Sequence, residues 1–227
     1  MSHYSNRNDD CVAPLVIFDC DGVLVDSEPI AASVISSLLI EENINLTPTE
    51  CESIFSGYTM DSVVAWIKDN YSISLSKSFI SRCHIKTLES ISNELQPIRG
   101  IRTVLDTIRN PICVASNGEL KKVKHSLRSA GLSKYFGNSL FCIDHVSFGK
   151  PHPDLFLYAA EVMGYKPENT LVVEDSLTGV RAAVAAGMGV FGYVPEEKNN
   201  ASFFRRELSL EGAEIFSKMV DLPGLIK

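Results

Sequence analysis

The sequence predicts a doubly wound α/β fold, in which helices cover both faces of a parallel sheet. Short apolar runs recur along the chain, amphipathic stretches separate them, and polar residues follow several of the runs directly. A short, unbroken apolar run is typical of a strand that is buried on both faces. Strands that alternate with helices pair in parallel through right-handed crossovers. These observations together favour a Rossmann-like sheet.

The predicted strands begin with residues 15–18, which are all apolar. Similar runs follow at 112–115, 140–143, 171–173 and 190–193. Four stretches have apolar residues at helical spacing, and they begin at Ile101, Leu120, Leu155 and Leu177. Each stretch lies before or after a predicted strand, as the alternating fold requires.

The connection between the first two strands is far longer than a crossover needs. It carries helical apolar stripes, one of which runs from Ile30 to Leu39. We therefore predict a helical cap domain at residues 28–96, inserted into an α/β core formed by residues 1–27 and 97–227. Residues 195–212 show no sequence pattern from which we predict a helix or a strand.

Composition restricts the partners of the protein. The 227 residues carry a net charge of −7, which disfavours binding to nucleic acid or to an anionic membrane. The six cysteines include no pair at zinc-ligand spacing, and a reduced compartment fits them best. Neither a secretory signal nor a membrane-spanning run is evident. We expect a soluble, cytoplasmic monomer or weak dimer that acts on a small molecule.

Polar residues cluster where the predicted strands end. Asp19 and Asp21 follow the first strand, and Lys150 follows the strand at 140–143. Two further groups end the strands at 112 and 171, namely Ser116 with Asn117 and Glu174 with Asp175. Because parallel strands present their carboxyl ends at one edge of the sheet, we expect these groups to lie together.

Such a cluster suits phosphoryl transfer. Neighbouring carboxylates repel one another unless a cation is present, and Mg²⁺ prefers oxygen ligands. A carboxylate can attack phosphorus, and a lysine with polar donors can stabilise the charge on the phosphoryl oxygens. A second acid two residues away can transfer a proton to the leaving oxygen. The sequence therefore predicts a Mg²⁺-dependent site for a small phosphorylated substrate.

Four motifs carry a resemblance to a known family over about residues 14–194. They are Phe18–Ser27, Ser116–Gly118, Gly149–Asp154 and Glu174–Ser176. With them the chain resembles the haloacid dehalogenase superfamily, in the branch of β-phosphoglucomutase and many sugar-phosphate phosphatases. The resemblance implies a helical cap that closes over the substrate.

The resemblance also implies individual roles. Asp19 would be the nucleophile and a Mg²⁺ ligand. Asp21 would be the general acid and base, and its backbone carbonyl would bind the metal. Lys150 would pair with the nucleophile and the phosphate.

The remaining motif residues would bind the phosphate or the metal. Ser116 and the backbone of Asn117 would bind the phosphoryl group. Gly22 would be a further phosphate-binding residue. Asp175 would bind the metal, with Glu174 as a direct or an indirect ligand.

Three functions remain open at this stage: a phosphatase, a β-phosphoglucomutase-type phosphotransferase and a non-catalytic sensor of phosphorylated ligands. Met60 stands where the mutase carries an arginine, although Arg82 is another cap cation. The stretches around Cys20 and Ser116 resemble bacterial 6-phosphogluconate phosphatases. A sugar or sugar-acid phosphate such as 6-phosphogluconate is therefore the leading substrate, with phosphoglycolate as a smaller alternative. Residues 55–58 are either a substrate loop or an ordinary turn.

Overall fold

The computed structural model of the protein describes residues 13–55, 58–76 and 78–226. The strands are β1 (Leu15–Phe18), β2 (Val25–Asp26), β3 (Gln96–Pro97), β4 (Ile112–Ser116), β5 (Leu140–Cys142), β6 (Thr170–Glu174), β7 (Gly189–Tyr193) and β8 (Glu214–Phe216). The helices are α1 (Glu28–Glu41), α2 (Pro48–Phe55), α3 (Met60–Tyr71), α4 (Ser78–Glu94), α5 (Ile101–Thr107), α6 (Leu120–Ser129), α7 (Ser133–Phe136), α8 (Asp154–Met163), α9 (Leu177–Ala185), α10 (Ala201–Leu210) and α11 (Leu222–Leu225).

Six of the strands form one parallel sheet in the order β5-β4-β1-β6-β7-β8. This architecture confirms the predicted doubly wound α/β class. The strand predicted at 140–143 ends one residue earlier, because Ile143 begins a 3₁₀ turn. The edge strand β8 was not predicted, since three residues are too few to show a pattern.

Strand β1 is fully buried at the centre of the sheet, between β4 and β6. Its side chains alternate between the two faces, as the period of a strand requires. Val16 and Phe18 pack in the hydrophobic cluster that includes residues of α5 and α6. Leu15 and Ile17 pack in the opposite cluster, with residues of α8 and α9. Burial on both faces explains why this run contains no polar residue.

Helices α1 to α4 lie between β2 and β3 and share a hydrophobic cluster of their own. Its largest fully buried members include Leu38, Ile67 and Phe79. These helices fall within the predicted cap, whose boundaries at 28 and 96 stay a prediction. In the segment 55–58, residues 56 and 57 lie outside the described residues, so the predicted substrate loop is not described.

The chain enters and leaves the cap side by side, because β2 and β3 pair in antiparallel fashion. Helix α4 of the cap packs against α6 of the core. A hydrogen bond of 2.9 Å joins Ser92 Oγ on α4 to His125 Nε2 on α6. These contacts join the cap to the helix that follows β4.

None of the helices within the described ranges has both the length and the apolar character needed to cross a bilayer. The segment at 195–212, which the sequence left without an interpretation, contains a loop followed by α10.

Candidate active site

The ends of three adjacent strands position the candidate site residues. Asp19 directly follows β1, and its backbone N–H donates to Val173 O in the neighbouring strand β6 at 3.0 Å. Glu174 is the last residue of β6, and Ser116 is the last residue of β4. Because β1 lies between β4 and β6, the structure brings these predicted site residues to one edge of the sheet.

Lys150 is the buried cation of the site, and its side chain is 3% exposed. Its ammonium group donates to Asp19 Oδ1 at 2.6 Å, to Glu174 Oε1 at 2.6 Å and to Ala115 O at 2.8 Å. Burial acts to lower the pKa of Lys150, but the two carboxylates outweigh it and raise the pKa above its usual value. The lysine therefore stays charged beside the predicted nucleophile.

Glu174 is completely buried, and both of its carboxylate oxygens accept hydrogen bonds. Oε1 accepts from Lys150, while Oε2 accepts from the backbone N–H groups of Asp175 and Ser176 and from Ser176 Oγ. Gly179 makes room for this carboxylate, because a Cβ there would lie 1.8 Å from Glu174 Oε1. The arrangement holds Glu174 rigidly next to Lys150.

Oxygen atoms of Asp19, Glu174 and Asp175 all lie within 4.8 Å of one another. Burial raises the pKa of Asp19 well above its usual value, and the charges of Glu174 and Asp175 add to this effect while Lys150 opposes it. Burial likewise raises the pKa of Asp175 to about 7. A divalent cation would relieve this repulsion, and an all-oxygen donor set fits Mg²⁺.

Asp21 makes two hydrogen bonds that the sequence did not predict. Ser27 Oγ donates to Asp21 Oδ1 at 2.7 Å, and Lys122 Nζ donates to Asp21 Oδ2 at 2.9 Å. Ser27 is the last residue of the first motif and stands immediately before α1. Lys122 lies on α6, 101 residues away from Asp21, and nothing local in its surroundings marks it as a site residue.

Lys198 is a second cation that the sequence analysis missed. Its ammonium group lies 3.2 Å from Asp175 Oδ2 and 3.6 Å from Glu28 Oε2. It also lies 5.0 Å from the centre of the Phe204 ring. Lys198 belongs to the segment without a clear pattern, so only the folded loop reveals that it reaches Asp175.

Asn117 orders the loop that carries Lys150. Its side chain donates to Lys150 O at 2.9 Å and accepts from the Lys150 N–H at 2.8 Å. Ser116 is buried, and its hydroxyl accepts from the Gly118 N–H at 3.0 Å. Asn117 thus supports Lys150 through its side chain, an effect separate from the phosphate contact predicted for its backbone.

Gly22 permits the close approach of Asp175. Its φ angle of +85° lies in the region that favours glycine, and a Cβ there would lie 2.3 Å from Asp175 Oδ2. The structure therefore explains Gly22 by packing against Asp175, while the phosphate contact expected of it stays a prediction.

A cavity of about 450 Å³ lies between the cap and the core beside these groups. Its lining residues are Ala31, Ile35, Met60, Cys83, His84, Thr87, Leu88, Asn117, Gly118, Glu119 and Lys122. A larger cavity of about 510 Å³ lies near Arg99, Tyr193 and Lys218, and none of the predicted site residues lines it. The cavity under the cap adjoins the site through Asn117 and Lys122, and a smaller cavity of about 170 Å³ adjoins it through Gly22 and Lys198.

Comparison with known proteins agrees with this geometry. The haloacid dehalogenase-like hydrolase family matches residues 13–187. The chain belongs to this family. The hydrolase is 33% identical to the 6-phosphogluconate phosphatase of Escherichia coli (strain K12), over 81% of this chain and 84% of that protein.

Two solved structures are similar to the hydrolase over nearly their whole length. The first is a conserved haloacid dehalogenase-like protein of unknown function from Agrobacterium tumefaciens, with 34% identity, a TM-score of 0.85 and coverage of 94% of this chain and 97% of that one. The second is a hydrolase of the same family from Deinococcus radiodurans R1 with bound phosphate and sodium, with 31% identity, a TM-score of 0.81 and coverage of 95% and 99%. The family resemblance predicted from the four motifs is thereby confirmed.

Proposed function

We propose that this hydrolase is a Mg²⁺-dependent phosphatase that acts on a sugar or sugar-acid phosphate such as 6-phosphogluconate. The observation that carries the proposal is the contact of 2.6 Å between Lys150 Nζ and Asp19 Oδ1, at an edge of the sheet where three carboxylates converge. The family and the phosphatase among the relatives support the class of phosphoric monoester hydrolases.

In the first half of the reaction, a carboxylate oxygen of Asp19 attacks phosphorus. The bond between phosphorus and the leaving oxygen breaks, and the phosphoryl group becomes attached to Asp19. Asp21 gives a proton to the leaving oxygen. Lys150 and donors from Ser116 and Asn117 stabilise the charge on the phosphoryl oxygens.

In the second half, water attacks the phosphorus of the aspartyl-phosphate. Asp21 takes a proton from that water, the bond between phosphorus and Asp19 breaks, and phosphate leaves. Both acids return to their starting forms, so the cycle needs no further reactant. The cap, which covers the site, would exclude bulk water during the first half.

We assign the Mg²⁺ site to Asp19, Asp175 and the backbone carbonyl of Asp21. Glu174 is better suited to an indirect role, because Lys150, Asp175 and Ser176 already donate to both of its oxygens. When bound, Mg²⁺ supplies positive charge next to the phosphoryl oxygens.

The cavity under the cap has a mostly apolar lining, with a few polar side chains that can contact a leaving group. Lys122, His84 and Thr87 line it together with the amide residue Asn117. Such side chains form hydrogen bonds with hydroxyl and carboxylate groups. The relative from Escherichia coli makes a sugar-acid phosphate the first substrate to test.

The mutase alternative has less support. The position of the mutase arginine is taken by Met60, which lines the cavity as an apolar side chain. Arg82, the possible replacement, forms an ion pair with Glu41 and does not line this cavity. Within the described lining, Lys122 and His84 are the basic residues, and Lys122 already pairs with Asp21. The contacts between Asp19, Lys150 and Glu174 also disfavour a sensor without catalysis.

The test is phosphate release from 6-phosphogluconate, glucose 6-phosphate and phosphoglycolate, with Mg²⁺ and with EDTA. We expect turnover that requires Mg²⁺ and is lost in Asp19→Asn, whereas Asp69→Asn on the exposed face of α3 serves as the matched control and retains it. Release that survives EDTA or Asp19→Asn would refute the mechanism. Glucose 6-phosphate formed from β-glucose 1-phosphate faster than free phosphate would instead support the mutase.

A further inference from the structure

Lys122 occupies a position that helix stability does not favour. It lies in the first turn of α6, where the helix macrodipole is positive and a lysine is unfavourable. Its neighbour Lys121 is exposed to solvent, whereas the Lys122 side chain turns into the site and is 34% exposed. Unlike Lys121, Lys122 offsets this cost through the contact of its ammonium group with Asp21.

The ammonium group of Lys122 and the hydroxyl of Ser27 hold the Asp21 carboxylate from two sides. Ser27 belongs to the segment that leads into the cap, and Lys122 belongs to the core helix α6. Each donates to a different oxygen of Asp21, at 2.7 Å from Ser27 and 2.9 Å from Lys122. When each oxygen of a carboxylate accepts from a different donor, the carboxylate cannot rotate freely. A single donor would not restrict its rotation in this way.

The other lysines of the site are engaged elsewhere. Lys150 donates to Asp19, Glu174 and the Ala115 carbonyl, and Lys198 contacts Asp175 and Glu28. Among the described residues, Lys122 is thus the cation that pairs with Asp21. It also lines the cavity where the leaving group would lie.

We propose that Lys122 is a positioning residue for proton transfer by Asp21. This inference rests on the proposed function, in which Asp21 gives a proton to the leaving oxygen. In the first half, Asp21 carries its proton on Oδ1, and Lys122 donates to the unprotonated Oδ2, which keeps the acid within reach of the leaving oxygen. In the second half, Lys122 holds the ionised carboxylate within reach of the attacking water. Lys122 itself neither gains nor loses a proton in either half.

The proposal has a consequence that depends on the leaving group. A sugar alkoxide is a strong base, and it leaves only if it receives a proton as the bond to phosphorus breaks. A p-nitrophenolate is stable as an anion and leaves without that proton. Loss of a residue that positions Asp21 should therefore slow attack on alkyl phosphates much more than attack on p-nitrophenyl phosphate.

The experiment compares kcat and KM of Lys122→Met for 6-phosphogluconate, glucose 6-phosphate and p-nitrophenyl phosphate. We expect kcat/KM for the alkyl phosphates to fall about tenfold or more, and kcat/KM for p-nitrophenyl phosphate to fall by no more than about twofold. The ratio kcat/KM reports the steps up to departure of the leaving group and excludes the later hydrolysis of the aspartyl-phosphate, which both classes of substrate share. Lys122→Arg, which keeps the charge, should recover part of the loss. The matched control Lys121→Met, on the exposed neighbour, should leave both activities unchanged.

A double-mutant cycle separates positioning from other roles. Adding Lys122→Met to Asp21→Asn should cause no further loss on the alkyl phosphates, because the group that Lys122 positions is already gone. Equal losses on both classes of substrate, or additive losses in the cycle, would overturn the proposal. A higher KM at unchanged kcat would also overturn it, since Lys122 would then bind the substrate directly. If Asp19→Asn still releases phosphate, the proposed function fails instead, and the two failures are distinguishable.

Discussion

The ammonium group of Lys150 lies 2.6 Å from Glu174 Oε1, inside a part of the core that solvent does not reach. Glu174 accepts its other hydrogen bonds from Asp175 and Ser176, so its position is fixed before any ligand binds. Lys150 is thereby held between Glu174 and Asp19. The pair is therefore a structural element of the fold as well as a part of the proposed chemistry.

We expect Lys150→Met to lower the free energy of unfolding by about 3–5 kcal/mol in the presence of EDTA, because it leaves buried carboxylates without their cation. Urea denaturation measures this change. Lys86→Met is the control, since Lys86 pairs with Glu41 on the surface and its removal should have a much smaller effect. Equal midpoints for the two variants would show that the buried pair contributes little to stability.

Gly22→Ala should weaken Mg²⁺ binding at the proposed site. A Cβ at residue 22 would push Asp175 away, and the positive φ angle adds a backbone cost. Gly164→Ala is a matched control, because its φ angle of +79° is similar but nothing lies within 4 Å of the added Cβ. Both variants should lose about 1–2 kcal/mol of stability for the backbone. Only Gly22→Ala should bind Mg²⁺ at least about tenfold more weakly in calorimetry.

Lys198→Met should increase the stabilisation that Mg²⁺ gives to the protein. Lys198 places a positive charge 3.2 Å from Asp175, and a divalent cation at Asp175 would be repelled by it. Thermal unfolding with and without Mg²⁺, at a pH well above 7 so that Asp175 is ionised, measures the effect. A rise in melting temperature no larger than that of the unmodified protein would mean that Lys198 and the metal do not compete.

Alkylation of Cys83 should depend steeply on pH. Burial raises the pKa of this thiol to about 11, although Arg82 and Lys86 act in the opposite direction. Because the thiolate reacts and the thiol does not, labelling by iodoacetamide should rise about tenfold per pH unit and should not level off near pH 8.5, as an ordinary cysteine does. Mass spectrometry of the labelled native protein tests this, with the urea-unfolded chain as the control. A plateau near pH 8.5 in the native protein would contradict the buried thiol.

Local sequence patterns were sufficient to predict the strands at the core of the fold. The runs at 15–18 and 171–173 are strands because burial on both faces removes every polar residue from them, and this leaves a pattern that is visible without a structure. The motifs at the ends of the strands were visible for a similar reason. Asp19, Lys150 and Glu174 follow buried strands closely in sequence, and topology then brings them to one edge.

Residues that reach the site from a distance had no such pattern. Lys122 is one of several lysines on an amphipathic helix, and Lys198 lies in a loop of mixed polarity. Their contacts join residues that are far apart in the chain, 101 positions in the case of Lys122 and Asp21. The edge strand β8 was missed because a three-residue strand is too short for periodicity.

The sequence by itself determined that the chain forms a parallel α/β core with an inserted helical segment, and that Asp19, Asp21, Lys150 and Asp175 belong to one family motif set. Only the tertiary structure decided which cation pairs with which acid: Lys150 with Asp19 and Glu174, Lys122 with Asp21, and Lys198 with Asp175. The physical reason is that the spacing of apolar residues, which reflects burial in a strand or a helix, is visible within a short stretch of sequence. Ion pairing depends on distances of a few ångströms between segments that only folding brings together.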